Sequence, residues 1–277
     1  MIRTVPLPDT TPVPALGLGT WRMGEDSRVR RQQIEAIRAG VELGMGLIDT
    51  AEMYGDGAAE QLLGQALKGL RDKVFLVSKV YPQNSGRGRI EKACEASLRR
   101  LDTDHLDLYL LHWRGGVPLA QVVEGMQALM AAGKIRRWGV SNLDVGDMEE
   151  LLRAGGEACA TDQVLYNITE RGPEFGLLPL LKARNIPTMA YSPFGQGRLP
   201  TSLALAAIAE RLEATAFQVA LAWVLRDPAI IAIPKAADLA HVEANRRALD
   251  LQLTPTDLAA IDAEFPPPSR KTRLAML

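Results

Sequence analysis

Val74-Phe75-Leu76-Val77-Ser78-Lys79 is followed by the helical pattern of Arg89–Leu101 and then by a second apolar run, Leu106-Asp107-Leu108-Tyr109-Leu110-Leu111-His112. Two brief, mostly apolar runs separated by one amphipathic segment read as parallel strands, buried on both faces and joined by a crossover helix. The unit repeats in both directions along the chain. Strand candidates lie upstream at Leu16–Gly19 and Leu47–Asp49, and downstream at Ile135–Ser141, Ala160–Leu165, Ile186–Tyr191 and Ile230–Pro234. Helical patterns fall at Arg28–Gly44, Ala58–Leu70, Leu119–Ala132, Val145–Arg153 and Phe175–Ala183. Ser202–Leu212 and Thr215–Arg226 both precede the last strand, and two further helical stretches follow it.

Eight strands in this alternation, without linker or composition shift, predict an α/β fold: a (β/α)8 TIM barrel forming one domain over residues 1–277. The rival is an open doubly wound sheet, which would place G-x-G-x-x-G directly after its first strand. Gly17-Leu18-Gly19-Thr20-Trp21-Arg22 and Gly86-Arg87-Gly88 both lack that pattern. Arg3–Val13, with turn residues Pro8-Asp9-Thr10-Thr11-Pro12, predicts an N-terminal β-hairpin, and the proline-led segment after Phe265 a short C-terminal tail.

The composition is that of a globular domain, with 47% hydrophobic and 23% charged residues. Thirty-two basic and 33 acidic residues leave a formal charge of −1, without the dense positive field that nucleic acid requires. Cys94 and Cys159 form no cluster, so neither a disulfide framework nor a metal site is expected. The start lacks the apolar core of a signal peptide, and the longest apolar stretch, Leu203–Ala209, is far shorter than a membrane span. A cytoplasmic enzyme without a membrane partner is the expectation, with a monomer as the default.

In a barrel of this type the active site lies at the C-terminal ends of the strands. Asp49 ends the second predicted strand and opens a loop containing Tyr54; Lys79 ends the third and His112 the fourth. Singly, each has an ordinary explanation: a turn aspartate, a loop aromatic, a snorkelling lysine, a satisfied core histidine. Together at one rim they describe acid catalysis at a carbonyl. The tyrosine hydroxyl is the acid, the lysine ammonium lowers its pKa, the aspartate holds the ammonium, and the histidine positions the oxygen.

Asp49-Thr50-Ala51-x-x-Tyr54-Gly55, Lys79 after Val77-Ser78, and Leu110-Leu111-His112-Trp113 resemble the signature of the aldo-keto reductase superfamily. The likeness continues through Gly139-Val140-Ser141-Asn142, Asp162-Gln163-Val164, Tyr191-Ser192-Pro193 and Ile233-Pro234-Lys235, in order over nearly the whole chain. It implies an NAD(P)H-dependent oxidoreductase with Tyr54 as general acid, Lys79 and Asp49 tuning it, and His112 positioning the carbonyl. Ser141, Asn142 and Gln163 would hold the nicotinamide carboxamide, and Tyr191 would stack on the ring. Ser192, Pro193, Phe194, Gly195, Gln196, Gly197 and Arg198 would lie along the pyrophosphate. Gly19, Thr20 and Trp21 would line the place where cofactor meets substrate, and Ile233, Lys235, His241 and Asn245 would serve the adenosine end.

At that end the chain departs from the pattern. A serine or threonine is replaced by Ala236, and the arginine that grips the 2′-phosphate by His241. NADP(H) is therefore the expected cofactor with NAD(H) also accepted, because the bidentate grip is missing. The loop Trp113-Arg114-Gly115-Gly116-Val117 and the tail are short, which leaves Trp21, Met53, Tyr54, His112 and Trp113 as a shallow mouth. Such a mouth suits small aldehydes and α-dicarbonyls such as methylglyoxal, and the chain looks most like the shorter bacterial members of the superfamily. Two alternatives stand beside this reading: a nicotinamide-binding regulatory module with little turnover, and a lyase using Lys79 as a Schiff-base nucleophile.

Overall fold

The computed structural model describes residues 2–277. Strands β1 (Thr4–Pro6) and β2 (Pro12–Pro14) form the expected antiparallel hairpin, with Val5 opposite Val13. The barrel strands follow as β3 (Leu18–Gly19), β4 (Leu47–Asp49), β5 (Phe75–Val80), β6 (Leu108–Leu111), β7 (Trp138–Ser141), β8 (Asp162–Leu165), β9 (Thr188–Tyr191) and β10 (Ile230–Ala232). All eight pair in parallel and in sequence order. The first and last also meet: Leu16 pairs with Ala232 and Gly19 with Lys235, which closes the barrel. At Gly19 a Cβ would stand 2.8 Å from the Ile233 carbonyl oxygen, so closure at this seam requires glycine.

Six of the eight barrel strands are shorter than the apolar runs that predict them, and proline explains two of the differences. Pro187 has no amide hydrogen, so β9 begins at Thr188; β10 stops at Ala232, two residues before Pro234. β5 runs one residue past Lys79, to Val80.

Helices α1 (Arg30–Glu42), α2 (Ala58–Ala66), α3 (Arg89–Leu101), α4 (Leu119–Ala131), α5 (Val145–Arg153) and α6 (Leu177–Ala183) surround the barrel, and α7 (Leu203–Arg211) and α8 (Ala216–Val224) fill the last crossover. The two stretches after β10 are α9 (Leu239–Arg247) and α10 (Pro255–Glu264). α3 shows why the periodicity was decisive. Ile90, Ala93, Cys94, Ser97, Leu98 and Leu101 are buried at helical spacing, while the charged residues between them are largely outside.

The hairpin lies across the N-terminal end of the barrel. Arg137, immediately before β7, reaches Asp9 at 2.6 Å and Thr11 at 2.5 Å in the hairpin turn, and Arg3 donates to the Leu225 carbonyl at 3.0 Å. The opposite end, where the strands finish, is left for the site. No helix among the described residues is long and apolar enough to cross a membrane.

Candidate active site

β4 ends on Asp49 and delivers the turn that carries Tyr54; β5 brings Lys79 inward next to it. The Lys79 ammonium is wholly buried, and each of its protons is engaged. Its Nζ donates to Asp49 Oδ2 at 2.8 Å, to the Thr50 carbonyl at 2.9 Å and to the Tyr54 hydroxyl at 3.0 Å. The Tyr54 oxygen thus accepts from an ammonium while its own hydrogen stays free to donate outward. Asp49 is held from the other side, because Gln163 Nε2 donates to Oδ1 at 2.8 Å. One aspartate therefore joins the Lys79–Tyr54 pair to β8.

The backbone fixes these positions. Both the Thr20 amide and the Thr20 hydroxyl donate to the Asp49 carbonyl, at 3.0 and 2.9 Å, which anchors Trp21 above Tyr54. Trp21 meets the Tyr54 ring edge-on at 4.9 Å between centroids, and Tyr54 lies 5.9 Å from the His112 ring. His112 is followed by Trp113 at 4.8 Å, and Trp113 meets Tyr81 edge-on at 5.7 Å. Met53 packs against the Tyr54 side of this row. All five predicted mouth residues are therefore gathered together.

The electrostatics correct one expectation. The Lys79 ammonium does not bring the Tyr54 hydroxyl below its ordinary value. Burial, reinforced by the Asp49 carboxylate, pushes it well above, so the group stays protonated. Burial pulls Lys79 below the usual lysine range, against the pull of the Asp49 carboxylate. His112 is driven down to about 2 by burial and then by the neighbouring ammonium, so the imidazole is neutral.

Beside this centre lies a second polar group. The Ser141 hydroxyl donates to the Gln163 carbonyl at 2.7 Å. Asn142, with φ of 59°, donates to the His112 carbonyl at 3.2 Å and to the Ser141 hydroxyl oxygen at 3.1 Å, and accepts from the Tyr191 hydroxyl at 2.9 Å. Burial pushes the Tyr191 hydroxyl up to about 12. The segment that follows is left-handed at Ser192, Gly195, Gln196 and Gly197, with φ of 48°, 54°, 60° and 81°. Such backbone forms anion-binding concavities, and a Cβ at either glycine would meet nothing within 4 Å. Pro193 is buried, Phe194 packs edge-on against Phe217 at 5.5 Å, and Arg198 is exposed.

Ile233 is buried at the seam beside Gly19, whereas Lys235 and His241 are exposed beyond β10 and along α9. Asn245 is 7% exposed, and its Nδ2 has no hydrogen-bond partner; the buried His112 Nδ1 has none either. Orphan buried polar atoms of this kind suit a ligand that carries polar groups. Among the described residues no group of His, Cys, Asp and Glu could hold a metal ion.

Sequence reasoning missed four partners. Tyr81 and Glu52 belong to the mouth, with Glu52 accepting from the Tyr81 amide at 2.7 Å and from Asn84 at 3.1 Å. Tyr81 was within reach, since it lies two residues past Lys79 and shares its side of the extended chain. The buried Glu60 pairs with the partly exposed Arg100 at 2.6 Å behind Lys79, and Ser78 donates to Glu60 at 2.6 Å. Forty residues separate these two charges, and no local pattern announces the contact.

A model of the aldo/keto reductase family matches residues 15–264. The chain is 53% identical over 271 residues to methylglyoxal reductase YeaE of Escherichia coli, covering 96% of this chain and 95% of that protein. It is 32% identical to the glyoxal reductase of Bacillus subtilis, over 94% of this chain and 92% of that one. An aldo-keto reductase from Klebsiella pneumoniae, solved in complex with NADPH, superposes with a TM-score of 0.97 at 52% identity, with both chains covered in full.

Proposed function

The chain belongs to the aldo/keto reductase family, and from that premise we propose that it reduces small aldehydes and α-dicarbonyls such as methylglyoxal to alcohols with NADPH. The observation that carries the proposal is the set of three hydrogen bonds made by Lys79, which leaves the Tyr54 hydroxyl as an acceptor from the ammonium with its own proton uncommitted. The chemistry a bound dihydronicotinamide supplies is hydride delivery to the carbonyl carbon. Every other requirement falls to the chain. Tyr54 donates its proton to the carbonyl oxygen, and the phenolate left behind is stabilised by the ammonium 3.0 Å away. His112, neutral at its post beside Tyr54, orients the substrate oxygen through a ring nitrogen. Ser141, Asn142 and the free oxygen of Gln163 take the carboxamide, and Tyr191 the face of the ring. The 192–198 loop takes the pyrophosphate, and Asn245 the adenine.

Small substrates follow from how the mouth is built. Arg114 ties its own loop down, donating to the carbonyls of Gly115 at 2.7 Å and Val117 at 2.9 Å and pairing with Glu150 at 3.0 Å. The wall is thereby held in place, and its short loop suits small substrates better than a polycyclic ketone. The relatives named for methylglyoxal and glyoxal reduction support the same class. The lyase reading loses its footing, because Lys79 has no exposed surface and no uncommitted proton. Loss of the reduced-nicotinamide absorbance should be followed with methylglyoxal, with a short-chain aldehyde and with a steroid ketone. Turnover confined to the first two is expected; a preference for the steroid, or no turnover with any of them, would contradict the proposal.

A further inference from the structure

Asn167 lies two residues past the end of β8 and is 2% exposed. Its Oδ1 accepts from the Thr169 amide at 2.9 Å, the Thr169 hydroxyl at 2.7 Å and the Glu170 amide at 3.0 Å. Three donors on one oxygen fix which way the amide group faces. Its Nδ2 is thereby aimed across to the neighbouring strand, where it donates to the Ser192 carbonyl at 2.9 Å. Strand register brings the two together, since Leu165 of β8 pairs with Tyr191 of β9.

Ser192 is the first residue after β9 and is left-handed, with φ of 48°. A serine keeps that conformation only where its surroundings impose it. Here its carbonyl is gripped twice, by Asn167 and by the Gly195 amide at 3.0 Å. Phe194 leans on Phe217, but the space around Gly195 and Gly197 is open, so packing does not place the loop there. The direction in which the chain leaves the barrel is set at Ser192.

We propose that Asn167 is a positioning residue for cofactor binding, which holds Ser192 left-handed and so aims the 192–198 loop at the pyrophosphate. The inference rests on the reading of that loop given above. Asn167 acts through Ser192: the tie orders the root of the loop before a ligand arrives, so less order has to be gained on binding. Without the tie the binding-competent form is a fraction of the population, and the apparent affinity falls by that fraction.

The test uses two variants of the full chain that keep the acceptor for Thr169 and Glu170 and lose the donor to Ser192. Asn167→Asp is isosteric; Asn167→Ser is shorter and adds no charge, so agreement between them separates loss of the tie from repulsion. Binding is read by calorimetry with 2′-phospho-ADP-ribose, which carries the pyrophosphate, and with 2′,5′-ADP, which lacks it. Both variants are expected to weaken the first about ten-fold and the second less than about two-fold. KM for NADPH should rise in step, with kcat changing by less than KM does. The two ligands weakening together, or neither weakening in either variant, overturns the role of Asn167 and leaves the reading of the loop standing. A wild-type protein that binds 2′-phospho-ADP-ribose no tighter than 2′,5′-ADP overturns both.

Discussion

Burial and the Lys79 charge hold the His112 imidazole neutral down to about pH 2. Reduction should therefore show no break in log kcat/KM between about pH 5 and 8 that belongs to this residue. A limb near pH 6.5 that vanished in His112→Gln would count against the assignment. The same shift has a stability consequence with a definite sign. Unfolded chains take up a proton below about pH 6.5 that the folded chain refuses, so His112 lowers stability as the pH falls through that value. Asp162 works in the opposite direction. Its carboxyl oxygens are buried without partners, and burial pushes it well above the ordinary carboxylate range despite the nearby Leu143 amide. The folded state holds a proton that the unfolded state releases above about pH 3.9. Asp162→Asn should thus match the wild type at acid pH. It should then gain on it by about 1.4 kcal/mol per pH unit above pH 4, until the folded group itself ionises. Denaturant melts at several pH values decide this, and a constant difference would show that Asp162 is ionised or solvated.

The turn between β4 and α2 shows what an element contributes that its residues do not. Gly55, Asp56 and Gly57 are consecutively left-handed, with φ of 58°, 51° and 88°, and at Gly57 a Cβ would stand 2.5 Å from Arg100 Cδ. Arg100 is in turn clamped by Glu60, so the loop that carries Tyr54 rests on a strut rooted in α3. Gly57→Ala should strain this backbone and displace Arg100, at a cost of about 1–3 kcal/mol in stability and a lower kcat. A variant with unchanged melting and kinetics would show that the loop is placed by other contacts. At this scale the sequence was only partly legible. The strands, α3 and α5 were readable because burial on both faces and 3.6-residue spacing leave local signatures, and the three polar strand ends, with Tyr54 in the loop after the first of them, stood out against apolar runs. The Glu60–Arg100 pair, the Asp49–Gln163 hydrogen bond and the Asn167–Ser192 tie were not readable as partnerships. Each depends on distance or rotamer and joins residues far apart in the chain.

Across the whole molecule, stability and chemistry sit at opposite ends of the barrel. The hairpin and Arg137 secure the N-terminal end, so Arg137→Ala should lower stability by about 0.5–1 kcal/mol while leaving kcat/KM as it was. A loss of activity without a loss of stability would break that division. Barrel closure was legible from eight strands in alternation, whereas the anchoring of the mouth was not, because it depends on how Arg114 folds back on its own loop. The sign of the Tyr54 shift was not legible either, since the sequence shows the neighbouring ammonium but not the degree of burial. The central claim is that Tyr54 donates the proton in carbonyl reduction, and Tyr54→Phe tests it most directly, with NADPH binding and methylglyoxal reduction measured on the same preparation. NADPH affinity within a few-fold of wild type, with kcat reduced at least about a hundred-fold, is the predicted result. A phenylalanine variant that turned over within a few-fold of wild type would contradict it.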